Sequence, residues 1–146
     1  MTEEIKGTKA EEIGAGLRGL IKSMVALAAS DRIIDEREVW AIGAIFNDLT
    51  GKDLNLDEVR RSAEAVRDEN ISIGDMLVGI EKKIHPEFKK TIIKACYLVS
   101  MADEILVPIE LEDVKKVGTY LKVDQATVDE IIIEMEKMIQ AEQPYH

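Results

Sequence analysis

The sequence predicts an all-α fold of about seven helices, and three observations carry that expectation. Apolar residues recur at three- and four-residue spacing along every long segment. No run alternates apolar and polar residues between turn residues, as a half-buried strand would. One acidic unit is written twice, 72 residues apart and without a gap, so two three-helix units joined by a connector helix are expected.

The elements follow in order. Segment one, about 9–29, places Ile13, Leu17, Leu20, Ile21, Met24 and Leu27 on one stripe. Segment two, about 36–49, carries Val39, Ile42, Ile45, Phe46 and Leu49, and Asp35 and Glu38 have capping-box spacing at its start. Segment three, about 56–69, carries Leu56, Val59, Ala63 and Val66, opened by the spacing Asn55 to Glu58. Segment four, about 73–84, is the connector: Ser72 suits its N-cap, and Ile73, Met76, Leu77, Ile80 and Ile84 form its stripe. Segment five, about 86–102, is apolar nearly all round, which predicts the most buried helix. Pro86 and Pro108 open segments five and six, where a missing N–H costs nothing. Segment six, about 108–121, carries Leu111, Val114, Val117 and Leu121. Segment seven, about 125–141, carries Val128, Ile131, Ile132, Met135 and Ile139, with Thr127 to Glu130 as its capping box. One domain over 9–142 is expected, with a flexible tail over 1–8 and another over 143–146.

The repeated unit is Asp31-Arg32-Ile33-Ile34 through Glu38, and again Asp103-Glu104-Ile105-Leu106 through Glu110. At the same offset Ile21-Lys22 matches Ile93-Lys94, Leu49 matches Leu121, and Asp57-Glu58 matches Asp129-Glu130. In each unit an Asp ends one helix, an apolar residue plugs the turn, and a Glu enters the next helix. That copies the second half of an EF-hand loop, whose positions 5, 8 and 12 are ligand, plug and ligand. The first half is missing, because Leu27, Ala29, Val99 and Met101 stand where ligands would. The loop glycine is replaced by Arg32 and Glu104. One unit therefore has too few oxygens for a hard cation, whereas two brought together supply four carboxylates. Local turn chemistry explains the same residues equally well. Glu38 and Glu110 fall at the third helical position, where a carboxylate caps and meets the helix dipole. Asp31 and Asp103 can accept N–H groups of the turns that follow them.

These two stretches resemble the paired Ala-Asp-Gly-x-Ile-x-x-x-Glu signatures of the tellurite-resistance protein B (TerB) family, whose related domains include the N-terminal region of DjlA-type co-chaperones. The resemblance covers roughly residues 10–140. It implies an all-helical, internally pseudo-symmetric fold, an association with tellurite and stress resistance, and a metal site. Carried over by position, the metal ligands would be Asp31, Glu38, Asp103 and Glu110, with Glu104 and Asp35 as additional candidates. The implied cofactor is a divalent cation (Ca2+, Mg2+ or Mn2+). The departure from the family pattern is at the glycines, where Arg32 and Glu104 take a turn that glycine makes easily.

Composition narrows the function classes. A net charge of −10 excludes phosphate-backbone binding as the main role and favours cations or basic surfaces. The lone cysteine, Cys96, lies in an apolar run and is expected to be inert core in a reducing compartment. The acidic N-terminus lacks an apolar signal region, and no segment approaches the length of a membrane span, so a cytoplasmic location is expected. No Glu-x-x-His pair, nucleophile motif or phosphate loop is present, so no enzyme is expected. His85 is expected to mark the start of segment five, and Trp40 is expected in the core. Lys82, Lys83, Lys89 and Lys90 form a basic cluster that suits an acidic protein partner or a solvated face. The expected role is a non-catalytic cation-binding or partner-binding module, with protein partners and a homo-oligomer both compatible. The alternative is a pure protein-interaction domain whose acidic turns are only caps.

Overall fold

The computed structural model describes residues 2–30, 33–102 and 108–142, with side chains over 13–30, 33–102 and 111–141. Among them are seven α-helices, one 3-10 turn and no strand. The helices are α1 (Thr2–Ala29), α2 (Glu36–Thr50), α3 (Leu56–Asp68), α4 (Ile73–Leu77), α5 (Pro86–Ser100), α6 (Pro108–Tyr120) and α7 (Gln125–Glu142). The 3-10 turn, Glu81–Lys83, lies between α4 and α5. Asp31, Asp103 and Glu104 fall outside the described residues, as does the side chain of Glu110.

The all-α expectation holds. The centre is the pair α1 and α5. Two glycines of α1 allow their close approach. A Cβ on Gly16 would stand 2.7 Å from the Phe88 ring, and one on Gly19 would stand 2.6 Å from Ile84 Cδ1. Ile92, Ile93, Cys96, Tyr97 and Val99 of α5 are fully buried, as the all-round apolar pattern predicts. Burial raises the Cys96 thiol well above its usual range, which fits an inert core cysteine. α2 and α3 pack on α1 and on each other, while α6 and α7 pack on α5 and on each other. Each pairing in the first trio thus has a counterpart in the second. The correspondence is incomplete, since Leu49 is 46% exposed and Leu121, its match, is fully buried.

Four expectations need correction. The connector is not one helix over 73–84. It breaks after α4, because Gly79 takes a left-handed conformation (φ 82) that reverses the chain before the 3-10 turn. Ile80 and Ile84 still pack on the core, so the apolar pattern continued through the break. Helix α7 is capped by Asp124, not Thr127: Asp124 Oδ1 accepts the Thr127 N–H at 3.0 Å, and the helix starts one residue after it. Trp40 is 68% exposed rather than core, and Ile13 is likewise exposed. Finally, α1 begins at Thr2, ahead of the apolar stripe, in a stretch that contains no proline to stop it.

Candidate functional site

The first acidic unit joins α1 to α2. Helix α1 ends with Ala26, Leu27, Ala28 and Ala29 all buried, and the Ser30 hydroxyl donates back to the Leu27 carbonyl at 2.8 Å. Ile33 is exposed and Ile34 packs on the core, so Ile34 is the plug that the motif spacing predicts. Asp35 is the N-cap of α2. Its carboxylate accepts the Arg37 N–H at 2.8 Å and the Arg37 guanidinium at 3.2 and 2.9 Å. Those bonds from Arg37 hold the Asp35 carboxyl below its ordinary value. An oxygen pair so engaged is a poor additional metal ligand. On the solvent side Arg60 bridges Glu36 and Asp57, each at 2.7 Å, which lowers the Glu36 carboxyl.

Glu38 behaves differently from the other carboxylates with capping-box spacing. It is 7% exposed, whereas Glu58 of α3 and Glu130 of α7 are exposed. The cause is register. Glu38 stands four residues before Ile42 on the buried stripe of α2, so the helix turns it toward the protein. Glu58 stands four residues before the exposed Ser62, off the stripe of α3. In α6, Glu110 takes the third helical position, as Glu38 does in α2, and stands four residues before the buried Val114.

The end of α1 and the first half of α6 line one pocket. A pocket of about 280 Å3 is lined by Ser30, which precedes Asp31, and by Asp113, which lies one turn after Glu110. Arg67, Asn70, Lys116 and Tyr120 share its walls. The Asp113 side chain is only 14% exposed, with Lys116 at 3.8 Å. The structure therefore brings the end of α1 to the first half of α6. Sequence reasoning missed Asp113, although it falls four residues before the buried Val117, where a carboxylate stands out. It also missed Glu81, which is 7% exposed and follows Leu77 by four residues, at a position where the period calls for an apolar side chain.

The basic cluster lies over the 3-10 turn and the start of α5. Lys82 and Lys83 are exposed, Lys90 meets Glu87 at 3.3 Å, and Lys94 lies 3.8 Å from Glu134. His85 is the N-cap of α5, its Nδ1 accepting the Glu87 N–H at 3.1 Å, which bears out its expected place. Beside it runs an apolar groove lined by Ile13, Leu17 and Phe88. Among the described residues no cluster of three or more potential metal ligands occurs, and no helix is long and apolar enough to cross a membrane.

The family model described as tellurite resistance protein TerB matches residues 18–132, from the middle of α1 into α7. No individual curated protein and no solved structure matches the chain.

Proposed function

The chain belongs to the TerB family, and from that premise we propose that it is a non-catalytic cytoplasmic module that binds one divalent cation between its two acidic units and serves tellurite or stress resistance. The observation that carries this reading is the burial of Glu38. Register turns the Glu38 carboxylate toward the protein, whereas Glu58, at the same helical position of α3, stays in water. Glu38 already has a partner, and a bound cation would add to the compensation that a buried carboxylate needs. The convergence of Ser30 and Asp113 on one pocket supports a joint site rather than two separate ones. Asp31, Glu38, Asp103 and Glu110 would hold the ion. Their all-oxygen donor set suits a hard cation, with backbone carbonyls or water completing the shell. The bound ion would fix the two inter-helix turns relative to one another.

A second reading has its own support. The engagement of Asp35 by Arg37 supports a capping role for one carboxylate of the first unit. On that reading the chain is a protein-interaction domain, and the exposed Lys82 and Lys83 with the half-buried Lys89 and Lys90 would meet an acidic partner.

Thermal unfolding separates the two. A cation that binds only the folded state raises the melting temperature. Millimolar Ca2+, Mg2+ or Mn2+ is expected to do so in the wild type. Asp31→Asn and Asp103→Asn should each abolish the rise while leaving the metal-free fold intact, since Asn keeps the capping ability. No shift in the wild type with any of these ions, or with Zn2+, would leave the interaction module as the function.

A further inference from the structure

We propose that the cleft between α4, the 3-10 turn and the end of α6 binds a cationic head group, an alkylammonium or guanidinium carried by a small amine or by a lysine or arginine side chain of a partner. The cleft has a volume of about 390 Å3; it shares Ser72, Gly74 and Tyr120 with the pocket beside Ser30 and Asp113, whereas Asp75 and Glu81 line the cleft alone. Glu81 lines it. Although only 7% exposed, its side chain makes no hydrogen bond or ion pair with any described residue. Its oxygens are not sealed in the core, because the one sealed and unpartnered side-chain oxygen among the described residues is Ser23 Oγ. A carboxylate this buried that lines a cleft has no positive partner among the described residues.

The remaining walls define that partner. Asp75, in the first turn of α4, adds a second carboxylate. Tyr120 presents an aromatic ring, and the absence of a side chain at Gly74 seats it: a Cβ there would stand 2.7 Å from Tyr120 Cε1. Carboxylates beside an aromatic face recognise organic cations by charge and by cation–π attraction. A bare divalent ion fits poorly, since it takes six or more oxygens and Asp75 and Glu81 are the two acids lining the cleft. Lys122 shares the cleft and forms no ion pair with Glu81, so the carboxylate stays available. Val78, 79% exposed, offers apolar surface for the alkyl stem of the ligand.

The test is an amide-shift titration of the full chain with butylamine and agmatine, and with end-blocked Gly-Lys-Gly and Gly-Arg-Gly. Saturable shifts are expected at Asp75, Val78, Gly79 and Lys122, and butanol should produce none. Glu81→Gln should weaken binding about tenfold or more, and the exposed Asp75→Asn several-fold. Tighter binding of the tripeptides would point to a partner's side chain, and tighter binding of the free amines to a small ligand. Absence of saturable shifts from every charged probe would overturn the proposal, as would equal shifts from butanol. If Glu81→Gln does not fold, unchanged affinity in Asp75→Asn overturns it instead.

Discussion

Ile92→Ala probes the packing of α1 on α5 most sharply. Ile92 is fully buried, and its Cδ1 lies 3.4 Å from where a Cβ on Gly19 would stand, so it packs against the glycine beside Ile84. The substitution removes three buried carbons, worth ~0.8 kcal/mol each, or ~2.4 kcal/mol of transfer free energy. A helix pair in this close contact cannot collapse fully, so a residual cavity brings the loss to roughly 3–4 kcal/mol. The assay is urea unfolding followed by far-ultraviolet circular dichroism. Tryptophan emission would report poorly, because Trp40 is 68% exposed. The midpoint should fall by roughly 1–3 M. Ile133→Ala on α7, 51% exposed, is the control and should change stability by less than about 0.5 kcal/mol. A loss below about 0.5 kcal/mol for Ile92→Ala would refute the reasoning, since it would show that α5 is not central.

Two further perturbations are informative. Trp40→Ala should leave the unfolding midpoint nearly unchanged, and the wild-type emission should already be that of a water-exposed indole; a marked loss of stability would place Trp40 in an interface or core. Asp124→Asn tests the cap of α7 through pH. The backbone and hydroxyl hydrogen bonds from Thr127 hold Asp124 below its ordinary value of 3.8. A lowered folded value means that its contribution is full above 3.8 and is lost as pH falls through the folded value. Wild type should therefore exceed Asp124→Asn at neutral pH and converge with it in acid. A difference that stays constant from neutral to acid would contradict the assignment.

Most of the fold was legible because helical period and caps are local. Asn55 and Ser72 bind the N–H groups of Glu58 and Asp75 at the spacing that the sequence shows, and Pro86 opens α5. Where reading failed, two local signals competed. Asp124 and Thr127 each precede a possible first turn, and Asp124 prevailed because its carboxylate takes both the N–H and the hydroxyl of Thr127. The break at Gly79 was hidden because Ile80 and Ile84 keep their apolar period across it. The exposure of Trp40 was readable, since it stands two residues before Ile42 and so about 200° around the helix from that buried residue. The candidate site was legible in its residues but not in its geometry. Spacing alone treats Glu38, Glu58 and Glu130 alike, and only the burial of the α2 stripe distinguishes Glu38. Nothing in the sequence announced that Ser30 and Asp113 meet in one pocket, because that contact depends on how α6 crosses the end of α1.

The joint cation site is tested most directly by the stoichiometry of binding. Calorimetric titration of wild type, Glu38→Gln and Asp103→Asn with Ca2+ and Mn2+ reads whether the two acidic units act together. One ion per chain is expected in the wild type, and none in either variant, because each substitution breaks a single shared shell. Two ions per chain, each lost with its own unit, would contradict a shared site. No binding to the wild type would show that the acidic units hold no cation.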